Sequence, residues 1–191
     1  MRIHAPNLLR KLADATGGAS AQTLKISALA LCYSTAIYCA PVQARSSHTK
    51  LIDIQLNTTM HIISGTLCPT PLTWPPVLRN IPPPHLRCQE ATTKVLAKVY
   101  ASEKFPLYID ITSHTAVRLT SRSPIWLGLL PEDMTVISAW SIDWSSTNVA
   151  NHSLVAEPSV CPPGFNLSCH VWTTLNHFRT GQGRCAFNLI R

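Results

Sequence analysis

The longest uninterrupted run of helix-forming residues covers positions 21–39. At helical spacing Leu24, Ala28 and Leu31 share one side and Ile26, Leu29, Tyr33 and Ile37 another, and a helix apolar on several faces must be buried. Pro41 is expected to end it, because the residue before a proline is pushed out of the α region. A second helix is expected over 48–64, with Ser46 or Ser47 as N-cap, Ile52, Leu56, Met60 and Ile63 in register, and Gly65 as its stop. Pro69, Pro71, Pro75, Pro76, Pro82, Pro83 and Pro84 then exclude helix interiors and central strands, which predicts a rigid connector with one short turn at 77–80.

Pro84 can open a third helix reaching about residue 102, where Leu86, Thr93, Leu96 and Tyr100 align and Lys94 and Lys98 lie elsewhere. From 105 to 163 the periodicity weakens, and only 132–144 reads as helix, with Trp126, Trp140 and Trp144 as packing anchors. Ser168 can cap a last helix through Arg179, with Val171, Trp172, Leu175 and Phe178 on its apolar side. The expected architecture is mainly α: short helices joined by Pro-rich connectors, an incomplete fragment of a larger protein. Its segments are 1–66 (helical), 67–84 (Pro-rich connector), 85–167 (a helix, then an irregular region with Trp, Ser and Pro) and 168–191 (a helix and a basic loop). No internal repeat is present.

Composition adds a polarity to this picture. Hydrophobic residues make up 46% of the 191, enough for a core, while charged residues make up 13%, against roughly 25% in ordinary soluble domains. Sixteen Lys and Arg against nine Asp and Glu leave a net charge of +7, and no acid occurs between Asp53 and Glu90 or after Glu157. Such a chain favours a polyanion or an anionic membrane surface. Seven cysteines without a C-x-x-C pair fit neither a zinc ribbon nor a disulfide framework, which points to a reducing compartment, the cytoplasm or nucleus. The competing secretory reading rests on residues 26–42 as a marginal membrane segment and on glycosylation sequons at Asn57, Asn151 and Asn166.

Catalytic signatures are missing. Two-metal nucleotidyl transfer needs carboxylates close together, yet Asp110 and Asp143 stand alone and Glu132-Asp133 follows Pro131 where a helix N-terminus attracts acids anyway. The sequence contains no phosphate-binding glycine motif, no H-E-x-x-H and no G-x-S-x-G. Cys161, Cys169, His170, His177 and Cys185 are metal-type side chains at intervals that match no standard zinc module, so no metal and no cofactor is expected. What stands out is the basic loop Arg179-Thr180-Gly181-Gln182-Gly183-Arg184, which can bring backbone amides and two guanidinium groups to a phosphate. A duller explanation of Arg179 is a cation complementing a helix C-terminus. The candidate nucleic-acid contacts are therefore Arg179, Thr180, Gly181, Gly183 and Arg184, with Lys94 and Lys98 from the third helix.

Three segments carry a resemblance: Ala28-Leu29-Ala30-Leu31-Cys32-Tyr33-Ser34 through Tyr38-Cys39-Ala40-Pro41-Val42; Gln55-Leu56-Asn57 through Ile63-Ser64-Gly65-Thr66-Leu67; and Leu175-Asn176-His177-Phe178-Arg179-Thr180-Gly181-Gln182-Gly183-Arg184. In order and spacing they resemble the region after the polymerase palm in jockey-type non-LTR (LINE-like) retrotransposon reverse transcriptases, over nearly the whole chain. The resemblance implies a thumb-like helical portion in 1–66 and a later segment that grips template RNA or target DNA. It also implies an endonuclease and polymerase palm upstream and a zinc knuckle downstream of the segment seen here. The departures are informative. His61, Cys68, Cys88, Cys169 and His177 stand where the family leads one to expect arginine, and Gln43 stands where it has tryptophan. Arg to Cys and Arg to His are the changes that deamination of methylated CpG produces, so the resemblance implies a decaying copy.

The resulting expectation is a non-catalytic remnant of an RNA-directed DNA polymerase, binding RNA or DNA weakly and without sequence preference, with no small-molecule substrate. The alternatives are a small secreted or membrane-associated glycoprotein and a domesticated nucleic-acid-binding module.

Overall fold

Several helices begin or end on local chemistry that the computed structural model makes explicit; it describes residues 5–13, 18–43, 46, 49–112, 129–131 and 133–183. After α1 (Ala5–Leu12), the Ser20 hydroxyl accepts a hydrogen bond from the Thr23 backbone N–H at 3.2 Å and starts α2 (Ala21–Ala28). The ladder widens into one π turn, Leu29–Tyr33, and resumes as α3 (Ser34–Gln43), so a continuous rod of 23 residues runs over Ala21–Gln43. Pro41 lies inside this rod and does not end it, contrary to expectation. A proline near a helix end removes one ladder bond, and the packing of α3 along a later helix, α6 (Pro84–Tyr100), offsets that loss.

The rod is also not buried all round. Its inward face is Leu24, Ala28, Cys32, Tyr33, Ala36 and Ala40, while Ile26, Leu31, Tyr38 and Val42 are exposed, the last two by 87% and 86%. By length and composition the rod could cross a membrane, yet its inward face is packed into the protein's own core. That core is completed by Leu9 of α1 and by Leu56, Met60 and Ile63 of α4 (Thr49–Ser64). Three of the four residues expected to face inward on this helix do so; Ile52 is half-buried at the margin. Gly65, at φ 65°, stops α4: the Gly65 and Thr66 amides bond back to the Ile62 and His61 carbonyls at 3.3 and 3.2 Å.

The Pro-rich stretch is more than a connector. It contains α5 (Trp74–Arg79), every residue of which is buried, with Pro75 and Pro76 in its first turn where a missing N–H costs nothing. Asn80 ends it in the left-handed region, with its own amide and that of Ile81 closing on Val77 and Pro76. Trp74, Val77 and Leu78 join Leu86, Ala139, Trp140, Trp144, Val155, Phe165 and Trp172 in a second core, and Ala21 carries the rod into it.

After α6, a short exposed helix α7 (Pro106–Thr112) occupies a stretch without clear periodicity. Next comes α8 (Val136–Ser145), which starts after Thr135, whose hydroxyl accepts from the Ser138 amide at 3.1 Å; Asp133 therefore precedes the helix and does not lie in its first turn. Trp140 and Trp144 are buried, as their spacing suggests, while Trp126 lies outside the described residues. The last helix, α9 (Cys169–Arg179), follows Ser168 in N-cap conformation without a side-chain cap bond. Among the described residues the secondary structure is helical and turn-like with no strand, the mainly α class expected.

Candidate functional site

Of the four residues that the apolar periodicity of α9 turns inward, only Trp172 is buried. Val171 and Phe178 are exposed, by 48% and 68%, and Leu175 is half-buried; the face turned inward is Trp172, Asn176 and Arg179, continuing to Thr180. Polar residues win because each finds a partner. The Asn176 Nδ2 donates to the Ser64 carbonyl at 2.9 Å, and its Oδ1 accepts from Arg179 Nη1 at 3.3 Å. His177 Nε2 donates to the Gly65 carbonyl at 2.8 Å, so α9 seals the C-terminal carbonyls of α4. The Thr180 hydroxyl turns back to the Asn176 carbonyl at 2.9 Å.

Arg179 therefore does not project from a phosphate-binding loop. It is 6% exposed, its Nη2 donates to the Pro163 carbonyl, and its guanidinium carbon lies 5.4 Å from the Trp172 ring centroid. Arg79, 1% exposed, sits at the same distance from the same ring and donates to the Ala21 carbonyl at 3.2 Å. Phe165 meets Trp172 edge-on at 5.4 Å. Two guanidiniums and a phenyl ring thus surround one buried indole, and burial disfavours the charged form of both arginines. Cation–π contact and carbonyl acceptors take the place of carboxylates here; among the described residues Glu90 pairs with Lys94, and Asp143 lies against the His85 imidazole.

The remaining loop candidates divide. Gly181, at φ 68°, is the left-handed residue that ends α9, its amide and that of Gln182 bonding back to Phe178 and His177 at 3.1 and 2.9 Å. Thr180 is buried, Gly183 has open space where a Cβ would stand, and Arg184 lies outside the described residues. On α6 the outcome is different. Lys94 and Lys98 are both exposed, one turn apart, with Lys94 2.6 Å from the Glu90 carboxylate. Among the described residues these two are the candidate cations that the fold turns to solvent.

Of the positions where arginine was expected, Cys68 is exposed, Cys88 and Cys169 are half-buried, and His61 and His177 are hydrogen-bonded, His61 to the Thr66 hydroxyl at 3.0 Å. Burial lowers the His61 pKa, opposed by a hydrogen bond at the Leu67 backbone, so the fold prefers the neutral imidazole. Stability from this group is full above the ordinary histidine value of about 6.5 and is lost as pH falls through the lower folded value. His61→Gln should flatten the decline in melting temperature between about pH 7 and pH 5; parallel curves for parent and variant would show that this site does not titrate with folding.

Nothing in the linear pattern signals the cavity that opens between α4, α5, the start of α6 and α8. It has a volume of about 260 Å³. Pro76, Pro83, Pro84, Leu72, Trp140 and Trp144 supply apolar walls, and Asp53, Asn57, His85, Asp143, Thr73 and Thr147 supply the polar ones. Asp53 and Asn57 stand one turn apart on α4, and His85 Nε2 lies 3.4 Å from Asp143 Oδ2, linking α6 to α8. Burial raises the Asp53 pKa, with His85 pulling it down. Reading along the chain leaves Asp143 isolated because its neighbours in space come from residues 53 and 85. Among the described residues no three His, Cys, Asp or Glu side chains are placed to hold a metal ion.

Of the sequons, Asn166 is exposed, Asn57 is half-buried at the cavity, and Asn151 engages its amide with the Phe178 carbonyl at 3.1 Å. Compared with protein-family models, with curated proteins and with solved structures, the chain has no match. The retrotransposon resemblance therefore rests on the three segments themselves.

Proposed function

We propose that this chain is a non-catalytic, post-polymerase segment of a jockey-type non-LTR retrotransposon reverse transcriptase, retaining weak, sequence-independent contact with RNA or DNA. The observation that carries the reading is that the three resembling segments form one connected assembly. The Tyr33 hydroxyl of the first donates to the Leu56 carbonyl of the second at 3.4 Å, and Asn176 of the third donates to the Ser64 carbonyl of the second at 2.9 Å. Residues that make joints between helices are those whose spacing a family would share. Exposed apolar positions on the rod, Tyr38 and Val42 above all, agree with a segment that belongs against further protein.

The expected contact is through exposed cations, Lys94 and Lys98, and not through Arg179, which serves the core. Phosphate contact acts by counterion release, so affinity for single-stranded RNA should fall steeply with salt and vary little with sequence. Replacing Lys94 and Lys98 by glutamine should reduce the log-affinity against log-salt slope by about 0.7 for each phosphate that is no longer neutralised. A double variant with the parent's affinity and slope at low salt would remove α6 from the interface, and a parent that binds no nucleic acid at low salt would overturn the functional reading.

A further inference from the structure

The cavity between α4, α5, α6 and α8 is at odds with the charge of the chain that builds it. Only nine of 191 residues are acidic against sixteen basic, yet two of the nine, Asp53 and Asp143, line this one space. They come from different helices, so their meeting follows from no acidic run in the sequence. A basic side chain already sits at this rim, since the His85 imidazole lies 3.4 Å from Asp143 and is electrostatically coupled to Asp53. Behind the carboxylates the walls are apolar, formed by Leu72, Pro76, Pro83 and Pro84 together with the largely buried Trp140 and Trp144. A carboxylate rim before an apolar space suits a cation on an apolar body, and repels phosphate.

We propose that this cavity binds a small organic monocation of the arylalkylammonium class, its ammonium at the Asp53 and Asp143 carboxylates and its ring against the apolar wall of Leu72, Pro76, Pro83 and Pro84. The proposal goes beyond the nucleic-acid reading and is independent of it, because the groups involved are anionic and lie apart from Lys94 and Lys98. In the bound state the ligand ammonium takes the place His85 holds beside Asp143. Asn57, one turn from Asp53, offers a further acceptor. A volume of about 260 Å³ limits the occupant to a single ring with a short chain.

The test is titration of the full chain with phenethylammonium, with neutral 2-phenylethanol and with anionic 3-phenylpropionate, followed by calorimetry or ligand-observed NMR. Phenethylammonium should bind at least about tenfold more tightly than either, the discrimination one screened charge contact supplies. Asp53→Asn with Asp143→Asn should bring the three compounds within about threefold of each other. His85→Ala should keep the preference or increase it, because it removes the resident competitor. Asp143, whose side chain is 54% exposed, gives a single Asn variant that keeps the test open should the double variant fold poorly. Equal affinity for the cation and the alcohol, preference for the carboxylate, no binding of the cation, or a preference that survives loss of both aspartates would each overturn the proposal.

Discussion

Replacing Trp172 by alanine lowers the unfolding free energy by about 3–5 kcal/mol, the range for truncating a large buried aromatic. The upper end is expected here, because Trp172 is fully buried and its ring faces the guanidiniums of Arg79 and Arg179 as well as Phe165. Removing the indole leaves a void and strips two buried cations of the surface that compensates their lost hydration. A domain's whole stability is about 5–15 kcal/mol, so the loss is a large share of it and the variant should melt well below the parent. Trp172→Phe keeps an aromatic face and should lose less. Denaturant unfolding of the three proteins measures this, and a loss below about 1 kcal/mol for the alanine variant would mean that the indole does not hold the core together.

Gly65→Ala should cost about 2–4 kcal/mol, for two separable reasons. The backbone there has φ 65°, where a Cβ is unfavourable, and an added Cβ would stand 2.4 Å from the Thr173 Oγ1 and 2.9 Å from its Cγ2. The first penalty is local and the second belongs to the packing of α9 against the end of α4. Thr173→Ala removes both clashing atoms, so the double variant should recover about 1 kcal/mol or more of the loss relative to the sum of the single changes. Strict additivity would show that α9 does not approach Gly65 this closely, and with it would fall the joint made by Asn176 and His177.

The candidate site divides along the same line between local and long-range causes. Gly65 and Gly181 are recognisable as helix stops because a left-handed residue after an apolar period is a local signal. Gly181 reads equally well as part of a phosphate loop, since a glycine beside two arginines satisfies both descriptions until the Phe178 and His177 carbonyls are seen to be capped by this turn. The pattern places Arg179 at a helix end, and it is there; what the linear view omits is that the Pro163 carbonyl, Asn176 and Trp172 enclose it. The cavity is illegible for the opposite reason: its carboxylates and imidazole are single residues on α4, α6 and α8, each unremarkable in its own surroundings.

By itself the sequence determined the helical class and the extents of α4, α6 and α9 to within a few residues, because periodicity, a proline at a helix start and a glycine past its end act over one or two turns. Only the tertiary structure decided which polar residues join the buried faces. Hydrophobic spacing predicts burial by counting apolar side chains, yet Asn176, Arg179 and Arg79 are inside because carbonyls and an indole distant in sequence meet them there. The bond from Asn176 to Ser64 spans 112 residues, a partner no local window can contain. The same holds for α5: its prolines forbid a helix interior but not a helix start, and whether so short a helix forms depends on the core that encloses it.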